Sequence, residues 1–278
     1  MLRVLIFDSG VGALSISSSL TNIMPELEQI LLADNAFFPY GEMQEDALIS
    51  RVTQLLVHSV SSFQPDCIVV ACNTVSTVAL DTIRDSLSIP VIGVVPAIKP
   101  AAELSSSKVI GLLATPGTIN RSYTADLASE HAKDCQLISV GSTRLVEMAE
   151  QRLCGQEIDS SEMLEILEPF LAAHKQQNLD ALILGCTHFP LLSDVISQQL
   201  PSSINLVDSS DAIARQVLNV INGLESTNKN TAVQSKGNTD HLVKKASNDC
   251  FLTKYNSNKQ LELGLLKYGF RKPQLFSI

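Results

Sequence analysis

The stretches CIVVACNT (residues 67–74) and ALILGCTH (residues 181–188) follow one plan: a short apolar run, then a small polar turn that carries a cysteine with a threonine close behind. Each has an upstream companion. VLIFDSG (residues 4–10) precedes the first and VIGLLATPG (residues 109–117) the second, and these two also resemble each other, both ending in a small polar turn. A strand-and-turn pattern that recurs in the same order is a weak internal repeat, and it predicts two similar halves. Short apolar strands without polar alternation belong to parallel sheets buried on both faces. Ligands of such sheets bind outside the carboxyl ends of the strands, where all four turns fall.

Working outward, strand-like runs occur at residues 3–7, 28–33, 67–71, 91–94, 109–114, 136–140 and 181–185, with helical patterns between them. Residues 46–63 place Leu48, Val52, Leu55, Leu56 and Val60 at helical spacing, and residues 161–174 do so through Met163, Ile166, Leu167 and Phe170. The expected fold is α/β, with two pseudo-symmetric lobes, each a mostly parallel sheet flanked by helices, and the active site in the cleft between them. Residues 1–95 with 208–278 would form the first lobe and 96–207 the second. Residues 222–248, crowded with Asn, Ser, Thr and Lys, read as a solvated loop without chemistry. Residues 250–255 read as a short strand and 259–270 as a last helix returning to the first lobe.

The chain has 278 residues, 45% hydrophobic, enough for a sizeable core. Its net charge of −9 repels phosphate backbones and anionic lipid, which disfavours nucleic acid as a ligand. No run approaches the length of a membrane span, and the opening MLRVLIFDSG lacks the apolar core of a signal peptide. These features place the protein in the cytoplasm, where thiols stay reduced.

The six cysteines show no CxxC pair and no Cys/His cluster with ligand spacing, so no metal site is expected. Cys67, Cys135, Cys154 and Cys250 read as structural. Cys72 and Cys186 differ, each lying in a polar turn just past a buried strand, where backbone N–H groups favour anions. Nucleophilic catalysis needs one such thiol. Inversion of a carbon centre through its C–H bond needs two, one removing the proton and the other delivering a proton to the opposite face. A free thiol has a pKa of about 8.5 and needs help to act as a base near neutrality. Asp8, at the end of the first strand, and His188, two residues past Cys186, are the candidate partners. Their plainer alternatives are a helix N-cap for Asp8 and a polar side chain packed beside Phe189 and Pro190 for His188. His58, His131, His174 and His241 read as surface residues.

Phe7-Asp8-Ser9-Gly10-Val11-Gly12, Asp34 with Pro39-Tyr40-Gly41, Ala71-Cys72-Asn73-Thr74, Pro90 to Val95, and Leu184-Gly185-Cys186-Thr187-His188-Phe189-Pro190-Leu191-Leu192 together resemble the glutamate racemases. The match runs in order from residue 3 to about 221. Aspartate racemases share the paired cysteines but usually carry Glu in place of His188 and lack the Phe-Asp-Ser-Gly start. The resemblance implies a cofactor-independent interconversion of L-glutamate and D-glutamate, a precursor of bacterial peptidoglycan. It implies that Cys72 acts on D-glutamate and Cys186 on L-glutamate, with Asp8, His188, Asp34 and Glu147 assisting. For Glu147 the plainer alternative is an exposed acid on a helix.

Glutamate brings two carboxylates and an ammonium, yet the motifs contain no Arg or Lys. Uncharged donors are therefore expected to hold it: Ser9, the Pro39-Tyr40-Gly41 segment, Asn73, Thr74, Thr115, Thr118 and Thr187, beside Asp8, Cys72, Cys186 and His188. No N-terminal extension before Met1 is expected, which weakens an expectation of activation by a cell-wall precursor. Two alternatives remain: an aspartate or hydantoin racemase of the same two-thiol plan, and a binding protein that inhibits a topoisomerase. A homodimer is one assembly left open.

Overall fold

The structure, a computed structural model, describes residues 2–231, 248–254 and 258–277. Its strands are β1 (Arg3–Asp8), β2 (Glu28–Ala33), β3 (Cys67–Val70), β4 (Val91–Gly93), β5 (Val109–Ala114), β6 (Gln136–Gly141), β7 (Ala181–Leu184), β8 (Asn205–Val207), β9 (Asp249–Leu252) and β10 (Gln274–Leu275). They form a six-stranded sheet in the order β10-β9-β2-β1-β3-β4 and a four-stranded sheet in the order β6-β5-β7-β8. Every pairing is parallel.

The repeat read from the sequence is a repeat of topology. In each half the first strand lies between the second and third, with the fourth outside the third, so β2-β1-β3-β4 and β6-β5-β7-β8 are the same order. Chain connections leave the first strand and its third-strand neighbour toward opposite sides. This opens a crevice at their carboxyl ends, the position where open parallel sheets take ligands. The ladder pairs Phe7 with Val70 and Leu113 with Leu184. The next residues along each pair are the polar turns that begin at Asp8 and Cys72, and at Thr115 and Cys186.

Burial on both faces follows from the two-residue period of a strand. Val4 and Ile6 join a cluster with Leu31, Val69, Leu14 and Val217, while Leu5 and Phe7 join another with Leu32, Val70, Leu48 and Leu55. The second sheet divides likewise, Leu113, Leu182 and Leu184 on one face and Leu112, Ala114 and Ile183 on the other. Each fully buried Leu or Ile contributes about 1.5–3 kcal/mol relative to exposure.

Helix ends are set locally. The helix Ser160–Gln177 starts where the Asp159 side chain accepts the N–H groups of Ser161 and Glu162, and stops at Asn178, whose φ of 59° is left-handed. The helix Glu45–Phe63 begins one residue earlier than its apolar pattern.

Two expectations are corrected. The helix Ser210–Thr231 runs through the first part of the expected loop. Ala214, Val217 and Ile221 pack in the same core as Leu14, Ile16 and Leu20 of the helix Leu14–Ile23. Once such packing fixes a helix, the weak penalties of Asn, Ser and Thr no longer end it. The remainder of that stretch up to residue 247, with His241, and Tyr255 of the expected C-terminal strand, lie outside the described residues. The last helix is shorter than expected, Lys259–Lys267, and β8 and β10 are too short to show a period in sequence.

Among the described residues no helix is long and apolar enough to cross a membrane.

Candidate active site

The four turns converge on one cavity of about 420 Å³, open solvent at its mouth included. The first sheet contributes Asp8 and Ser9 after β1, Pro39, Tyr40 and Gly41 from the segment after β2, and Cys72, Asn73 and Thr74 after β3. The second contributes Thr115 and Thr118 after β5, and Cys186, Thr187 and His188 after β7. Thr143 and Val146, which sequence reading missed, complete the lining. No Arg or Lys lines it.

Both cysteines are nearly buried, Cys72 at 7% and Cys186 at 8% exposure, and their surroundings are unlike. Cys186 Sγ lies 3.9 Å from His188 Nδ1, and His188 Nε2 lies 3.0 Å from Glu150 Oε1. Glu150 Oε1 also accepts the Val11 N–H at 2.8 Å, so a backbone group fixes the carboxylate that orients the imidazole. Burial opposes charge on His188. Bonds to Cys186 and Glu150 and the negative charge of Asp8 outweigh it, holding the His188 pKa well above the usual histidine value. Phe38 covers the imidazole, its ring centroid 5.9 Å away.

For Cys72 the charge that acts most is a carboxylate. Burial, then the charge of Asp8, push its pKa up, against backbone N–H groups of Val75 and Thr74 that favour the thiolate. Asp8 is fully buried; its Oδ1 accepts the Ser9 N–H at 2.7 Å and its Oδ2 the Thr187 hydroxyl at 3.0 Å. Burial raises the Asp8 pKa, with His188 and these donors acting in the other direction. The N-cap alternative for Asp8 does not hold, because its side chain bonds Ser9 and Thr187 and the turn Val11–Ala13 has no side-chain cap. Gly12 is required by close approach: a Cβ there would collide with His188, Thr187 and Asp8. Asn73 Oδ1 is buried in the wall without a hydrogen-bond partner among the described residues.

Two named acids lie elsewhere. Glu147 is half-exposed, 2.9 Å from Arg144, and does not line the cavity. The helix Arg144–Leu153 instead turns Val146 and Glu150, four residues apart, toward the site. Asp34 is buried one layer behind the wall, bonded to Tyr40, Arg51 and Thr253.

Of the other cysteines, Cys67 and Cys250 are buried in the core, their thiols pushed up to about 12 by burial. All six are free thiols. Among the described residues no group of three His, Cys, Asp or Glu could hold a metal ion.

A cavity between two like sheets, with a thiol in each half, has close relatives. The Asp/Glu/Hydantoin racemase family profile matches residues 14–217. A glutamate racemase of Shewanella sp. (strain MR-4) is 43% identical over 96% of this chain and 94% of its own. One from Aliivibrio fischeri is 49% identical over 80% of this chain and 82% of its own. The crystal structure of Escherichia coli glutamate racemase, in complex with L-glutamate and the activator UDP-MurNAc-Ala, matches with a TM-score of 0.86 and 37% identity, covering 99% of this chain and 98% of that one. The chain belongs to the Asp/Glu/Hydantoin racemase family, among its glutamate racemases.

Proposed function

We propose that this chain interconverts L-glutamate and D-glutamate by two-base proton transfer, Cys186 acting on the L-enantiomer and Cys72 on the D-enantiomer. The observation that carries this reading is the meeting of the two cysteine turns, one from each sheet, in a single cavity.

In the L-to-D direction the Cys186 thiolate takes the α-proton, leaving a carbanion, and the Cys72 thiol gives its proton to the opposite face. The sulfurs then carry exchanged protonation states, and the reverse reaction or exchange with solvent restores them. The environments suit this division. Cys72, raised by burial and by Asp8, is a thiol at neutral pH and starts as the acid. Cys186 faces a histidine held in its charged form, its sulfur 3.9 Å from the imidazole Nδ1.

The substrate carboxylates are met by hydroxyl and amide donors, from Ser9, Thr74, Thr115, Thr118, Thr143 and Thr187 and the Tyr40-Gly41 backbone. Asn73 Oδ1 is placed to accept from the α-ammonium. D-Glutamate made this way supplies peptidoglycan synthesis, in the cytoplasm, where both thiols stay reduced. In this reading residues 1–95 with 208–278 form one lobe and 96–207 the other, with the active site in the cleft between them.

The test is chemical. In deuterated water, D-glutamate formed from L-glutamate carries deuterium at the α-carbon, while recovered L-glutamate gains little at early times. Cys72→Ala and Cys186→Ala each lower kcat by at least about 10³-fold, the loss of an essential acid or base, in a folded protein. A near-normal rate in either variant would overturn the assignment.

A further inference from the structure

Asp34 was expected to assist at the reacting centre, but its bonds assign it another task. It is fully buried, and each carboxylate oxygen has two donors. Oδ1 accepts Arg51 Nη2 at 2.8 Å and Thr253 Oγ1 at 2.5 Å; Oδ2 accepts Arg51 Nε at 3.0 Å and the Tyr40 hydroxyl at 2.6 Å. A carboxylate has about four lone-pair sites, so none is left to take a proton from a substrate. Burial would favour the neutral acid. The Arg51, Thr253 and Tyr40 bonds reverse this and hold the Asp34 pKa below the usual carboxylate range.

What reaches the cavity is Tyr40. Its ring is buried in the core beneath Phe7, and it lines the cavity together with Pro39 and Gly41. Its hydroxyl is the fixed end of that segment. The other end of the network is anchored twice. The Arg51 guanidinium, on the helix Glu45–Phe63, stacks 4.5 Å from the Phe37 ring centroid. Thr253, one residue past β9, accepts the Ala36 N–H at 3.1 Å, and Asn35 and Lys254 exchange two further bonds of 2.8 and 2.9 Å. The two residues after β9, a segment read from the sequence only as a short strand, thus grip the turn that leads into the substrate wall.

We propose that Arg51 and Thr253 are positioning residues for substrate binding: through Asp34 they fix the Tyr40 hydroxyl, and with it the Pro39-Tyr40-Gly41 edge that meets glutamate. This inference rests on the reading of the cavity as the glutamate site. Arg51, Thr253 and Asp34 do not line the cavity, so their loss is expected to weaken ground-state and transition-state binding alike. Such a loss raises KM and spares kcat.

The experiment compares wild type with Thr253→Val, Tyr40→Phe and Arg51→Met in both directions. Thr253→Val and Tyr40→Phe keep shape and remove one hydroxyl, so they serve if Arg51→Met, which leaves a buried carboxylate unpaired, fails to fold. The expected result is KM for both enantiomers raised about fivefold or more with kcat within about threefold. The Tyr40→Phe/Thr253→Val pair should add little to either single change, because both act through one carboxylate. KM within about twofold of wild type in the folded variants, even with a lowered Tm, overturns the inference, as does a fall in kcat at constant KM. If the wild-type protein leaves L-glutamate unchanged, it is the reading of the cavity that fails instead.

Discussion

At the scale of single residues, two cysteines with similar burial are made chemically distinct by their neighbours. Cys186 lies against an imidazole held charged by its bonds to Cys186 and Glu150 and by Asp8, whereas the charge that acts most on Cys72 is the Asp8 carboxylate. A two-base racemase is active with one thiol and one thiolate, so kcat/KM follows a bell-shaped pH profile. Deprotonation of the second thiol sets the alkaline limb. Because Cys72 is pushed up by burial and by Asp8, that limb lies above the ordinary thiol value of about 8.5. Asp8→Asn removes a negative charge that disfavours the Cys72 thiolate, so the pKa falls and the limb moves to lower pH. Burial, the larger cause, remains, so the return is partial. The check is a pH profile of kcat/KM for both proteins, whatever the loss in absolute rate; an unmoved or raised limb would show that Asp8 does not act on Cys72 by charge.

At the scale of elements, the helix Arg144–Leu153 decides which acid serves the site. A residue and the one four positions on share a face. Val146 lines the cavity and Glu150 follows it, while Glu147 points away to Arg144. Glu150→Gln keeps the shape and removes the charge beside His188, and is expected to lower kcat by about tenfold or more, with Glu147→Gln costing far less. The enantiomers are equal in energy, so kcat/KM falls equally in both directions. The discriminating readout is the isotope effect with α-deuterated L-glutamate, which rises because proton removal by Cys186 becomes slower. An unchanged isotope effect and rate would remove Glu150 from the relay. The same helix marks how much was legible beforehand. Strands β2 and β5 were read to the residue, because their apolar runs are bounded by polar turns. The residues that line the cavity from those turns were legible too, since a strand end fixes where its next residue stands. Glu150, Arg51 and Thr253 were not. Each reaches the site through a partner distant in sequence, His188 for the first and Asp34 for the others, and no local pattern carries that pairing.

At the scale of the whole molecule, the repeated topology makes a cleft with one catalytic turn on each wall, and the same geometry requires that the walls meet above the substrate. Besides the Thr187–Asp8 and Val11–Glu150 bonds, two further contacts join them. A Cβ at Gly117 would stand 3.5 Å from the Gly41 carbonyl oxygen, so the two backbones approach closely at the mouth. Beyond them Glu45, in the first turn of the helix Glu45–Phe63, pairs with Arg121, which precedes the helix Ser122–His131. The pair joins an element of the first sheet's side to one of the second's. We expect admission of glutamate to part these contacts and closure over it to re-form them in each turnover. The pair suits that duty because it is weak: Glu45 is half-exposed, and exposed pairs contribute about 0.2–1 kcal/mol. Glu45→Arg places two cations at the mouth and favours the parted state, raising KM by about three- to fivefold at low salt. At 1 M salt, where the Debye length is about 3 Å, the defect should largely vanish. Glu45→Arg combined with Arg121→Glu restores the attraction with its sign exchanged and should bring KM back. Steady-state kinetics of the two singles and the double decide it: a double no better than Glu45→Arg would mean that the walls close without help from this pair.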